Sequence, residues 1–344
     1  MEQTITYDEM KGKTGFSIEY IPNPTGVAIH AKSDGQPDIS VQLSNERIDE
    51  AHILYMEVTE LLRSRSKIGQ SQAEIRAAIE VLFAMFRGEK PSAGKIASVS
   101  APRTISSEEK TINKPIEVDG TKYDRILVKT RFISVDDNDI IPLIEEYARP
   151  YLQPGDTLYV SEKALTITQG RVVDMSEITP SFWARLFAGN VRNNFGTSDF
   201  KGFGHGTPLA MQLLIEEAGY PRAIFAAFIA AITRPLGIRG AFYYLCGTQA
   251  KSVDLPMSFL ILEFAHAAKL APLAPAKAAK RIKEKFGCEA VILDSNYRGA
   301  FSLGKTTNAI SETFIDKLFK GNPMGQSDEM TPFCIVRKAS NAVE

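Results

Sequence analysis

Ala290-Val291-Ile292-Leu293 is an unbroken apolar run that stops at Asp294-Ser295. A short continuous apolar run ahead of turn residues is the pattern of a strand covered on both faces. Asn296, Tyr297, Arg298 and Gly299 then turn the chain, Gly304-Lys305-Thr306-Thr307 follows, and a second polar loop runs from Met324 through Gly325, Gln326, Ser327 and Asp328 to Glu329. A carboxylate, a hydroxyl, a cation and flexible glycines gathered at one strand end can hold a metal ion and the phosphates it bridges. Taken alone, the segment reads more readily as a capped strand-to-loop turn.

With 344 residues the chain can bury a substantial core in two or three lobes. Its 40 Lys+Arg nearly balance its 41 Asp+Glu, so overall charge implies neither nucleic acid nor an anionic membrane as partner. Cys246, Cys288 and Cys334 are far apart and each lies in or beside an apolar stretch. That is the pattern of reduced, buried thiols in a cytoplasmic protein. Met1 to Asp8 has neither a basic nor an apolar signal region, so secretion is not expected. The apolar stretch Ala223 to Ile232 is about half the roughly twenty residues a bilayer requires, and is expected to be a core helix.

Residues 1 to about 40 are polar and punctuated by Gly and Pro, with a strand-like Val27 to His30. Ser44-Asn45-Glu46 predicts a helix cap, followed by apolar residues at helical spacing from Ile48 to Leu62. A second helix after Ser71-Gln72 carries Ile75, Ile79, Leu82, Phe83 and Phe86 on one face, completing a helical hairpin. Gly88 to Gly120 reads as a linker or long surface loop. Strands are predicted at Tyr123 to Lys129, Thr157 to Ser161 and Phe333 to Arg337, and helices at Ile140 to Tyr147, from Pro208, and at Ala276 to Phe286. Ala241 to Leu245 reads as a further buried strand. The expected fold class is α+β: mixed β-sheets with packed helices in residues 121–344, and an N-terminal extension, residues 1–120, bearing the hairpin.

Several residues suit chemistry. Lys163 follows a strand and precedes Gly170-Arg171, so its ammonium is placed to meet a phosphate, although a lone lysine there is usually just solvated. The loop Gly202 to Gly206 exposes backbone amides and carries His205, but lacks the lysine and hydroxyl of a phosphate-binding loop. His266, in an Ala-rich stretch read as helix, is expected to be a satisfied packing residue. Neither a zinc motif nor a local nucleophilic triad is recognisable.

Three segments together resemble the coenzyme F-420-0:γ-glutamyl ligase family. Pro154-Gly155-Asp156 through Lys163 to Gly170-Arg171-Val172-Val173 is similar to its early "GD-hydrophobic-strand-x-K … EGRVV" motif. Asp294-Ser295-Asn296-Tyr297-Arg298 with Gly304-Lys305-Thr306 resembles its "DTxGRPWRxGQT" motif, and Met324-Gly325-Gln326 with Glu329 and Pro332 its C-terminal loop. The resemblance covers roughly residues 122 to 338. It implies an amide ligase using GTP and two divalent metals to join a carboxylic acid to glutamate; for this chain the expectation is GTP or ATP with Mg²⁺ or Mn²⁺, a small-molecule carboxylic acid and an amino acid such as glutamate, and a homodimer.

By position, the resemblance makes Asp294, Ser295 and Gln326 metal ligands. It gives Asp294, Arg298 and Lys163 to catalysis. Thr130, Arg131, Ser161, Glu162, Lys163 and Met324 to Glu329 would contact the nucleotide. The family's "N-A-G-x-D" metal aspartate falls on Gln249, with Asp254 the nearest carboxylate, and its Pro-Trp-Arg has become Gly299-Ala300-Phe301. A neutral amide is a weak ligand for a hard cation. These departures point to a divergent paralogue, either a ligase for another acid or a scaffold that binds a nucleotide or metabolite without ligation. An unrelated α/β enzyme would require all three resemblances to be coincidental.

Overall fold

The computed structural model describes residues 4–100, 110–191, 206–257, 261–296, 299–325 and 329–339. In chain order the first elements are β1 (Ile5–Tyr7), α1 (Lys11–Thr14), β2 (Phe16–Asn23), β3 (Gly26–Ser33), β4 (Ile39–Ser44), α2 (Ile48–Lys67), α3 (Gln72–Phe86) and α4 (Ala93–Val99). Next come β5 (Thr111–Asn113), β6 (Ile116–Val118), β7 (Thr121–Val128), α5 (Ile140–Leu143), β8 (Thr157–Ser161), α6 (Glu162–Thr168) and β9 (Val172–Asp174). A helical stretch follows: α7 (Phe182–Ala188), α8 (Pro208–Ala218), α9 (Tyr220–Thr233), α10 (Ala241–Cys246) and α11 (Thr248–Lys251). The chain closes with β10 (Ala267–Lys269), α12 (Pro275–Phe286), β11 (Glu289–Asn296), β12 (Gly299–Lys305), α13 (Glu312–Leu318) and β13 (Phe333–Lys338). The fold is α+β with mixed sheets, as expected.

Two compact units divide these elements: Met1–Pro102 with Val173–Lys269, and Arg103–Val172 with Leu270–Glu344. In the first unit, β1 to β4 form an antiparallel meander. Phe16, Ile18, Tyr20, Val27, Ile29, Ala31, Val41 and Leu43, on alternate positions, are all buried, and α2 and α3 pack on the sheet. The sequence reading found only one of these strands, because short alternating strands interrupted by Pro and Gly leave little local signal. The helical hairpin is present. α3 carries a complete capping box, Ser71 Oγ accepting from Glu74 N at 3.3 Å and Glu74 Oε2 from Ser71 N at 2.8 Å. The cap predicted at Ser44 is absent: a 3₁₀ turn, Asn45–Arg47, precedes α2 and the Ser44 side chain makes no capping bond.

Other expectations also fail. Gly88 to Gly120 is not merely a linker, since it contains α4, β5 and β6; β6 and β7 are joined at Asp119-Gly120, both at positive φ, a backbone that Asp-Gly favours. Ala241–Cys246 is helix, not strand. A five-residue apolar run is ambiguous between the two, and Tyr244, 84% exposed, has no place in a strand buried on both faces. On α9 only Ala223 and Ala226 are buried, so it is not a core helix in the expected sense. The helix predicted at Ile140 to Tyr147 opens as α5 and widens into a π-helical turn, Ile144–Ala148.

His266 lies outside any helix, between a 3₁₀ turn and β10. It is nevertheless satisfied. Its Nδ1 is 3.1 Å from Asp174 Oδ1, its Nε2 is 3.2 Å from Glu50 Oε2, and its ring meets Phe86 edge-on. Burial would raise the Glu50 carboxyl, but Arg47 and His266 outweigh it and hold it below its ordinary value. Cys246, Cys288 and Cys334 are buried and free. No helix among the described residues is long and apolar enough to cross a membrane.

The second unit is built on one mixed sheet ordered β12-β11-β8-β13-β7-β5, with β6 also on β7. β11 and β8 are parallel, and β13 runs antiparallel between β8 and β7. One face packs on α13 through Tyr159, Val291, Leu293, Phe319 and Cys334. Gly304 is in β12, not in a loop. A Cβ there would meet Ala276 N at 2.3 Å, so glycine is what lets the start of α12 lie against the sheet.

Asp49 in the first turn of α2 yields a pH prediction. Burial pushes its carboxyl up to about 6, against the opposing charge of Arg185. The folded state therefore holds this proton more tightly than the unfolded one, and stability falls as pH rises from about 4 to about 6. Asp49→Asn should raise stability at pH 7 by on the order of 2 kcal/mol and flatten that fall, measured as denaturation midpoints across this range. An unchanged pH profile would show that Asp49 is not the titrating group.

Candidate functional site

The register of the mixed sheet brings sequence-distant residues to one end. Leu293 on β11 pairs with Ser161 on β8, Val160 with Phe333 on β13, and Phe333 with Val128 on β7. Asp294-Ser295, Ser161-Glu162-Lys163, Thr130-Arg131 and the residues entering β13 therefore come to the same end of the sheet. The distance from β7 to β11 is three inter-strand steps, about 14 Å. In open sheets the carboxyl ends of parallel strands are where ligands sit.

Backbone bonds fix the connections. Ser161 N donates to Pro332 O at 2.8 Å, and Thr130 N to Met330 O at 2.9 Å. The C-terminal loop is thus tied to both β8 and β7. Glu162 is buried at the start of α6 and Lys163 is half-buried beside it. Thr130 is buried, and its hydroxyl donates to the Arg131 carbonyl. Arg131 itself is committed: its guanidinium pairs with Asp137, at 2.8 Å through Nη1, and the carboxylate is held below its ordinary range by that contact. That pair closes the Arg131–Asp137 turn.

Asp294 and Ser295 are consecutive on β11, so their side chains leave opposite faces of the strand. The Ser295 hydroxyl donates to Asn322 Oδ1 at 3.1 Å. Asn322 also donates through Nδ2 to the Gly325 carbonyl at 3.0 Å, and its own carbonyl accepts from Gly325 N at 3.1 Å. Asn322 sits at φ +43°, a left-handed conformation that Asn tolerates well. Its importance was missed in the sequence. The only signal is Gly321-Asn322-Pro323, three turn-forming residues in a row.

Met324 is buried, and its carbonyl accepts from Thr331 Oγ1 at 2.6 Å. Gly325 has φ +78°, and a Cβ on it would lie 2.1 Å from the Glu329 carboxyl carbon. The Glu329 carboxylate is therefore packed directly on the Gly325 backbone. Arg298, Gln326, Ser327 and Asp328 lie outside the described residues, as do residues 202–205 with His205.

The remaining predicted ligands belong to the first unit. Gln249 is exposed on α11. Asp254 bridges Lys269 through both backbones, and its carboxylate is 3.2 Å from the Lys269 ammonium, which is fully buried. Releasing Asp254 to a cation would strip a buried charge of this counter-ion.

The described oxygen donors, the Asp294 carboxylate, the Ser295 hydroxyl and the Glu329 carboxylate, are of the type hard divalent cations select. No group of three or more His, Cys, Asp or Glu able to hold a metal is assembled among the described residues. Magnesium commonly uses one or two carboxylates and takes its other ligands from substrate phosphates and water, so these donors suit it. Ser295 is available to such an ion when its bond to Asn322 opens.

Residues 128–332 match the model of the F420-0:gamma-glutamyl ligase family. The chain belongs to that family. The matched range includes Ser161–Lys163 and Asp294–Ser295, which the sheet register brings to one end, and the Met324–Glu329 segment that leads to β13. A comparison with curated proteins finds no match.

Asn322→Gly keeps the left-handed backbone available while deleting both side-chain bonds. Each such bond contributes about 1 kcal/mol, so amide exchange at Gly325 should accelerate on the order of tenfold with little change in global stability. Exchange followed by mass spectrometry checks this, and an unaltered Gly325 rate would mean that the loop is held by other contacts.

Proposed function

We propose that this γ-glutamyl ligase family member joins a small-molecule carboxylic acid to the amino group of glutamate or another amino acid, with GTP or ATP consumed. A carboxylate oxygen of the acid takes the γ-phosphoryl group and the nucleoside diphosphate leaves. The amine nitrogen then attacks the acyl carbon and loses a proton, and inorganic phosphate departs as the amide forms. Hydroxide is a poor leaving group and phosphate a good one, which is what the nucleotide contributes to the reaction.

The convergence of three distant segments at one sheet end carries this reading. Lys163, at the start of α6, is suited to a triphosphate, with Ser161 and Glu162 beside it. Asp294 on one face of β11, and Ser295 on the other, would each offer an oxygen donor to Mg²⁺ or Mn²⁺, with the Glu329 carboxylate as a further donor. A bound divalent ion supplies charge neutralisation on the transferring phosphoryl group. Thr130 and the Met324–Glu329 loop would border the nucleotide, and Arg298 the reacting groups. A homodimer in the cytoplasm is the setting this reading assumes.

One observation favours a second reading, a scaffold that binds a nucleotide or metabolite without ligation. Gln249 replaces a metal carboxylate by a neutral amide, and Asp254, the nearest substitute, is the counter-ion of buried Lys269. With one divalent ion lost, phosphoryl transfer would be weakened while binding of the nucleotide through the other segments persists.

Titration calorimetry of the full chain with GTP and with ATP, each with Mg²⁺ or Mn²⁺, separates the possibilities. Metal-dependent binding that disappears in Asp294→Ala is the expected result for a nucleotide site at this sheet end. Phosphate release on addition of a carboxylic acid and glutamate would then distinguish the ligase from the scaffold. Absence of binding for either nucleotide with both metals would sink the ligase reading.

A further inference from the structure

The helical part of the first unit turns its large apolar side chains outward. On α9, Ala223 and Ala226 are buried, while Phe225, Phe228 and Ile232, three and four residues apart, form an outward stripe in which Phe228 is 62% exposed. The exposed apolar set extends through the α9–α10 connection, with Leu236 and Ile238, to Tyr244 on α10, which packs beside α9. Apolar patches of this kind usually mark an interaction surface.

Local charge identifies the partner. From Glu217 to Asp254 the chain has no intervening acidic residue, yet it carries Arg222, Arg234, Arg239 and Lys251. Arg222 and Arg234 donate to the backbone carbonyls of Leu245 and Asn190, and neither forms an ion pair among the described residues. Arg239 stands in the fully exposed turn beside Ile238. The net charge of −1 for the whole chain conceals this imbalance.

We propose that this face docks on the surface of an anionic lipid bilayer. Phe225, Phe228, Ile232, Leu236 and Ile238 would enter the headgroup–acyl boundary and the arginines would meet lipid phosphates. α9 has 14 residues, about 21 Å of helix, and so lies along the interface instead of spanning it. A second copy of the chain fits less well: a two-fold contact sets the patch against itself and brings arginine to arginine.

Vesicle flotation with the full chain tests the proposal, using neutral phosphatidylcholine vesicles and the same vesicles with phosphatidylglycerol added. The chain should float with the anionic vesicles only and be released by high salt. Phe228→Ser with Leu236→Ser should abolish flotation, and Arg239→Gln should weaken it about fivefold. Arg239 and Leu236 lie in an exposed turn, so circular dichroism should show these variants folded; if the Phe228 variant is not, Arg239→Gln alone decides. Failure to float with anionic vesicles, or equal flotation with neutral ones, would overturn the proposal. So would vesicle indifference together with a dimer that Phe228→Ser dissociates in sedimentation, which would make this face a contact between copies.

Discussion

The second unit depends on the placement of its last strand. β13 enters between β8 and β7 and pairs with both, so Phe333, Cys334 and Ile335 are wholly buried at the centre of the sheet. Burial there pushes the Cys334 thiol up to about 12. The far end is held by Arg337, which donates to both carboxylate oxygens of buried Asp156, at 2.8 and 2.7 Å, and to the Tyr151 carbonyl. β13 is covered on both faces, so a slip of one residue would exchange its side chains between two differently packed faces and move Arg337 off Asp156. That same register delivers Met330 and Pro332 to Thr130 and Ser161, so the requirement to bury β13 also assembles the candidate site.

Much of this unit was legible because its strands are apolar and bounded by turn residues. Thr157–Ser161 and the strand ending in Asp294-Ser295 are of this kind, and so is the final strand. Legibility failed where local pattern is ambiguous or weak. The AFYYLC run of α10 has strand composition, and only its exposure shows why it is helical. β1 to β4 are recognisable as a sheet only once paired, because cross-strand contacts, not local propensity, hold them.

At the site, the identity of the segments was readable and their geometry was not. Nothing local tells that Leu293 lies beside Ser161, since parallel register is set by long-range packing. Nor does the sequence reveal that Arg131 is occupied by Asp137, or that Asn322 joins Ser295 to Gly325. The last case has a clear cause. Asn322 acts through a left-handed turn and its two side-chain bonds, and a motif scan registers neither. Gly325, by contrast, looks like a flexible loop residue but is fixed by its neighbour, because the Glu329 carboxylate fills the space a side chain would need.

The first unit shows why average composition is a poor guide to a surface. A chain with balanced charge can still hold a long acid-free stretch, and α9 within that stretch packs inward by alanine and outward by phenylalanine and isoleucine. Alanine allows close helix packing around Met211, Leu214 and Ile215, so stability of the bundle does not require the larger side chains to be exposed. Their exposure forgoes hydrophobic stabilisation of about 1.5–3 kcal/mol for each side chain that could have been buried. Folding alone gives no reason to place them there. An exposed apolar stripe on a helix whose stretch of chain carries arginine and no acid is instead what an amphipathic anionic layer would complement.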